Sequence, residues 1–263
     1  MRIGSLFSGI EGLELGLVAA GVGHVAWSVE RDPYCAWRIR STRGGGVLHE
    51  DVRHVGRHNL ASVDVICGGY PCQPYSTSGR RRGAQDHRDL WPEFARIIGE
   101  VQPRYVVIEN VAGHLTLGFD RTLRDLAALG YDAEWDVLSA CALGAAHTRE
   151  RLFCLAYPSG IGQPEPWEYQ QDASDHAQKE HWQADRLVDA VRRGAVPYVC
   201  REAHGVPGRV HRVTALGNAV VPQMAKVAGR RLLAIHDALN RVNPITGPLS
   251  SISPLSSGTS SGA

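Results

Sequence analysis

The segment Gly68-Gly69-Tyr70-Pro71-Cys72-Gln73-Pro74-Tyr75-Ser76 puts a thiol in a glycine- and proline-rich loop directly after the apolar run Val63–Cys67. Glycine lets a backbone approach a ligand closely, and proline restricts the entry to the cysteine, so the loop is suited to aiming Cys72. A cysteine in a tight turn also serves as a small buried hydrophobe, and Pro71-Cys72 alone does not choose between the two. A second apolar run, Tyr105-Val106-Val107-Ile108, leads straight into Glu109-Asn110-Val111. A thiol and an acid brought to one rim by separate strands make a nucleophile with a proton donor.

A third constellation lies upstream. Phe7-Ser8-Gly9-Ile10-Glu11-Gly12 is a glycine-bearing turn between an apolar run and a helical pattern. Glu30 closes the next apolar run, where an acid accepts hydrogen bonds from ribose hydroxyls, and Asp51 follows Val47-Leu48. The three together fit an adenosine ligand without a pyrophosphate.

These residues need elements to hold them. Apolar runs at Arg2–Phe7, His24–Val29, Val63–Cys67, Arg104–Ile108, Ala133–Ala140 and Leu152–Tyr157 alternate with helical patterns from Leu13, over Tyr34–Arg40 and near Arg121–Leu129. That rhythm predicts an α/β fold with a Rossmann-like, mostly parallel sheet, whose ligands sit beyond the carboxyl ends of the strands. From Pro158 to Val206 it gives way to Pro, Gln, His and Trp, and it returns as an amphipathic helix over Val221–Val242. The expected organisation is a catalytic and cofactor-binding domain from 1–157 plus 207–242, a small irregular target-recognition lobe at 158–206 and a disordered Ser/Pro/Gly tail at 243–263.

Of the 263 residues 43% are hydrophobic and 21% charged, an ordinary globular balance, and no run approaches the roughly 18 apolar residues of a membrane span. No secretory leader is read at the N-terminus, so the expected location is the cytoplasm, without a membrane. The six cysteines form no Cys-x-x-Cys pair, so neither a metal nor a disulfide framework is expected. Net charge is +1, yet Arg192–Arg241 holds nine Lys/Arg against Glu202 and Asp237. One basic face suits a polyanionic partner, and a solvated basic helix accounts for it equally well.

In this order the motifs resemble those of the cytosine-C5 DNA methyltransferase family, in the manner of a small bacterial or phage-type member. Phe7–Gly12 is similar to the family's first motif, Pro71-Cys72-Gln73 to its nucleophile loop and Glu109-Asn110-Val111 to the element that engages cytosine. Arg149-Glu150-Arg151 is similar to its Arg-x-Arg element, and Gly217-Asn218-Ala219-Val220-Val221-Pro222 to its closing motif. Glu11 stands where a second glycine is usual, and His147-Thr148 where Gln-Lys is frequent.

The resemblance implies a class I methyltransferase fold and a DNA (cytosine-5-)-methyltransferase activity in which Cys72, Glu109, Arg149 and Arg151 are catalytic. S-adenosylmethionine, leaving as S-adenosylhomocysteine, would be held by Phe7, Gly9, Ile10, Glu30, Asp51, Val52, Pro71, Leu90, Asn218, Ala219 and Val220. Double-stranded DNA would be met by Gln73, Ser76 and Arg80-Arg81-Arg82. A monomer is expected, with a cognate restriction endonuclease as a possible companion. RNA cytosine methylation and a non-catalytic DNA-binding relative are the alternatives, the second disfavoured by the joint presence of Cys72, Glu109 and Arg151. An adenine amino-methyltransferase would carry Asp/Asn-Pro-Pro-Tyr/Phe where this chain has Tyr70-Pro71-Cys72-Gln73.

Overall fold

The computed structural model describes residues 1–43, 46–71, 89–145, 147, 149–160 and 215–242. Cys72, Gln73, Ser76, Arg80, Arg81 and Arg82, nearly all of the expected lobe and the expected tail lie outside the described residues. The strands are β1 (Arg2–Leu6), β2 (His24–Val29), β3 (Val47–His49), β4 (Val65–Gly68), β5 (Tyr105–Val111), β6 (Tyr131–Ser139) and β7 (Glu150–Pro158). The helices are α1 (Gly12–Ala19), α2 (Pro33–Arg43), α3 (Trp91–Val101), α4 (Phe119–Ala128) and α5 (Pro222–Val242).

One seven-stranded sheet runs in the order β3-β2-β1-β4-β5-β7-β6. The pairings β1 with β2 and β4, β2 with β3 and β4 with β5 are parallel, whereas β7 runs antiparallel to both its neighbours. The central strands read as unbroken apolar runs because both faces are covered. Val106 and Ile108 pack on the side of α3 and α4, whereas Val107 and Tyr105 face α1 and α5. Strand order reverses between β1 and β4, so their carboxyl ends flank the crevice where such sheets bind ligands.

The helix α5 follows the expected pattern, with Met224, Val227, Leu232, Ile235 and Leu239 buried. It comes unusually close to α1: a Cβ on Gly16 would stand 2.3 Å from the Pro222 carbonyl oxygen, and one on Gly12 would stand 2.2 Å from that of Val220. Farther along, Arg231 grips Glu134 of β6 through two bonds of 2.6 and 2.7 Å. The chain segment after the expected lobe is thereby locked back onto the sheet. The helix α3 is an addition to the expected elements. Its Trp91, Phe94, Ile97 and Ile98 are buried at helical spacing, with Pro92 in the first turn, where proline is tolerated.

Candidate active site

The carboxyl ends of β1, β2, β4 and β5 open onto a cavity of about 570 Å³, a size that accommodates a nucleoside-like ligand. Ten of the expected site residues line it: Phe7, Gly9, Glu30, Asp51, Val52, Pro71, Leu90, Glu109, Arg151 and Asn218. Ile10, Ala219 and Val220 line a crevice of about 40 Å³ beside it, which also touches Gly9, Glu109 and Asn218.

The first turn owes its shape to left-handed backbone. Phe7 has φ 57°, Gly9 55° and Glu11 72°. Positive φ costs a non-glycine residue on the order of 1 kcal/mol, which explains physically why glycine is usual at the position of Glu11. Glu30 braces this turn. Its Oε2 accepts from Gly9 N–H at 2.6 Å, and its Oε1 accepts from Asp32 N–H at 2.7 Å. Burial raises the pKa of Glu30, and the backbone donors of Asp32 and Gly9 oppose that rise. With Arg31 N–H as a third backbone donor, the carboxylate still keeps acceptor capacity for a hydroxyl. Asp51 accepts from Arg53 N–H at 3.0 Å and so caps the short 3₁₀ turn Val52–His54 at the cavity wall.

On the opposite wall stands Glu109, 7% exposed. Its Oε1 lies 3.0 Å from Arg151 Nε. Burial nonetheless raises the Glu109 carboxyl to about 7, against the lowering effect of Arg151 and, more weakly, Arg149. A Cβ on Gly69 would come within 2.6 Å of Glu109 Oε2, so the chain leading to Cys72 runs flush against this carboxylate. Asn110 Nδ2 donates to the Tyr70 carbonyl oxygen at 3.3 Å, tying the same two strand ends together. Pro71, one residue before Cys72, therefore shares a rim with Glu109.

Arg149 occupies a different place. It lines the groove with Ile10, His147 and Leu216, and its Nη2 donates to the Gly217 carbonyl oxygen at 2.8 Å. Arg151 faces the cavity, whereas Arg149 holds the closing segment.

Sequence reasoning passed over Cys35, a second thiol on the cavity wall. Burial, with the charges of Glu30 and Asp32, pushes it up to about 12, which favours the thiol at neutral pH. Cys154 is likewise pushed to about 12 by burial, and Cys67 is fully buried. Tyr70 and Asn110, members of the two motifs singled out in the sequence, also line the cavity, as do Arg31 and Asp32, which were not assigned a role.

The cavity fits an S-adenosyl ligand. Phe7, Val52 and Leu90 offer apolar surface for a base, and Phe7 is steadied edge-on by Phe94 at 6.1 Å. Glu30 offers acceptors for ribose hydroxyls, and the acidic surroundings suit a cation.

A seven-stranded sheet in this order with one reversed strand, closed over a nucleoside-sized cavity at the β1/β4 switch, is the fold of class I S-adenosylmethionine-dependent methyltransferases. Within that class the sequence model of the C-5 cytosine-specific DNA methylases matches residues 1–195, and the chain belongs to that family. The Type II methyltransferase M.NgoMIV of Neisseria gonorrhoeae is 34% identical over 168 residues, covering 60% of this chain and 54% of the relative. The Type II methyltransferase M.HhaI of Haemophilus parahaemolyticus is 30% identical over 166 residues, covering 61% and 50%. The chain thus spans about half the length of these curated relatives. Among solved structures, a DNA modification methyltransferase encoded within an Escherichia coli prophage superposes with a TM-score of 0.51 at 26% identity, covering 61% of this chain and 47% of that one. The Schizosaccharomyces pombe Dnmt2 methyltransferase superposes with a TM-score of 0.59 at 16% identity, covering 92% of this chain and 99% of that one, a likeness of fold.

Proposed function

We propose that the chain is a DNA (cytosine-5-)-methyltransferase that works through Cys72, as a monomer in the cytoplasm, on a specific sequence of double-stranded DNA. The observation that carries this reading is the buried Glu109, paired with Arg151 and packed against the backbone that leads to Cys72, its carboxyl raised to about 7 by burial. The named relatives are Type II methyltransferases, which supports DNA as substrate and a restriction endonuclease as companion.

Carbon 5 of cytosine is a poor nucleophile, so the ring is activated first. The Cys72 thiolate forms a bond to carbon 6 while protonated Glu109 gives its proton to N3, leaving carbon 5 electron-rich. Arg151 stabilises the ring oxygen as charge develops there. S-adenosylmethionine, when bound, supplies the electrophilic methyl group. Carbon 5 takes that methyl; a water molecule then removes the carbon-5 proton, the freed electron pair re-forms the double bond between carbons 5 and 6 and expels Cys72 as thiolate, and Glu109 retakes the N3 proton. Carbon 6 is out of reach within a duplex, so the base is flipped, with the unstacking costing a few kcal/mol. Gln73, Ser76 and Arg80-Arg81-Arg82 are assigned to the DNA beside the flipped base, and the segment 158–206 to sequence reading.

The test offers the purified chain labelled methyl donor with duplex DNA and with tRNA side by side. Label in DNA alone, located by bisulfite sequencing at one cytosine of a repeated word, is the expected result. Label in tRNA alone, or in neither, overturns it.

A further inference from the structure

We propose that Tyr70 is a positioning residue for Cys72: its phenol, seated between His114 and Thr122, fixes the backbone two residues before the thiol. The inference rests on the reading of Cys72 as nucleophile.

Tyr70 is 2% exposed and stands two residues before Cys72. Its hydroxyl oxygen lies 2.5 Å from His114 Nε2 and 3.1 Å from Thr122 Oγ1. His114 Nδ1 lies 2.8 Å from the Leu117 carbonyl oxygen, which can only accept, so Nδ1 carries a hydrogen. His114 is fully buried, and that burial lowers its pKa. The ring is therefore neutral and Nε2 is bare. The phenol donates to Nε2, and Thr122 donates to the phenol. With the ring neutral, the protons run in one direction from Thr122 through Tyr70 and His114 to Leu117.

The ring of Tyr70 also packs against Trp91 and Phe94, with centroids 5.4 and 6.1 Å away. A phenylalanine would keep those contacts, so the hydroxyl serves geometry rather than burial. Buried polar networks of this kind hold a unique arrangement where apolar packing tolerates several. The other side of the thiol-bearing segment is tethered in the same place. Asp89 Oδ2 accepts from Arg121 Nη1 at 3.0 Å, and Arg121 precedes Thr122 on α4. His114 sits in the turn that follows Glu109-Asn110-Val111. The stem of Cys72 and the strand that carries Glu109 thus share one support.

The experiment measures turnover of the full chain with labelled S-adenosylmethionine and unmethylated genomic DNA. Tyr70→Phe is expected to lower kcat by about 10- to 100-fold, the scale of a misplacement near 1 Å, with KM for the methyl donor within about two-fold of wild type. His114→Leu is expected to match that loss, and the double variant to be no worse than either single one, because the residues act as a unit. His114→Gln, whose amide oxygen takes the place of Nε2, restores most of the rate. Thr122→Val, a milder change should Tyr70→Phe fold poorly, lowers kcat several-fold. Wild-type kcat in Tyr70→Phe or Thr122→Val overturns the inference, as does a loss confined to KM or one that adds to that of His114→Leu. Cys72→Ala separates the two levels. If it still turns over, the nucleophile reading fails; if it is silent while Tyr70→Phe runs at the wild-type rate, only the positioning role fails.

Discussion

Glu109 Oε1 lies 3.0 Å from Arg151 Nε, yet the carboxyl titrates near 7 rather than in the usual carboxylate range. The pair sits diagonally across the antiparallel ladder of β5 and β7, Glu109 opposite Phe153 and Arg151 opposite Val111. Withdrawal of the carboxylate from water outweighs the attraction of the Arg151 and Arg149 guanidinium groups. The result is an acid that is half-protonated at neutral pH and able both to give and to retake a proton.

That balance predicts a pH-dependent stability. A carboxyl raised on folding favours the neutral form, so the folded state loses stability as pH rises from the ordinary value of 4.5 through about 7. The cost approaches about 3 kcal/mol above that range. Glu109→Gln is neutral throughout and escapes it. Denaturant unfolding should show the variant level with wild type near pH 4.5 and more stable by about 3 kcal/mol at pH 8. A difference that stays flat with pH would contradict the assignment.

Arg151 holds the Glu109 carboxyl below where burial alone would put it. In Arg151→Met the alkaline limb of kcat/KM, set near 7 by Glu109, moves to higher pH, and the maximum falls by about 100-fold or more with the lost stabilisation of the ring oxygen. A pH–rate profile checks both. A limb that moves to lower pH, or a maximum that holds, contradicts the pairing.

Gly12 touches the Val220 carbonyl so closely that a Cβ would stand 2.2 Å from it. Gly12→Ala must push the closing segment off the first turn, at a cost of about 1–3 kcal/mol. Because Asn218 lines the same cavity as Glu30, cofactor affinity falls with stability. Calorimetric titration with S-adenosylhomocysteine measures it, and unchanged affinity would count against a cofactor role for this junction.

The legible parts of the fold were those with local pattern. Strand β2 agrees with its apolar run, His24–Val29, at both ends, and the buried face of α5 follows its helical spacing. The helix α3 carries the same kind of spacing at Trp91, Phe94, Ile97 and Ile98, and that was its usable signal. Much of the cavity wall was readable because each residue follows an apolar run. The phenol of Tyr70 was not, since His114 and Thr122 lie 44 and 52 positions away. Arg149 and Arg151 look equivalent in sequence, two positions apart, but Arg149 precedes β7 and Arg151 lies within it. Only the approach of Gly217 to Arg149 assigns them different work.

The central claim is that Cys72 is the nucleophile, and substituting this thiol tests it most directly. Labelled methyl transfer to duplex DNA should disappear in Cys72→Ser, by about 1,000-fold or more because a serine hydroxyl is scarcely ionised at neutral pH, while affinity for S-adenosylhomocysteine stays near that of wild type. Turnover at the wild-type rate in Cys72→Ser would contradict the account.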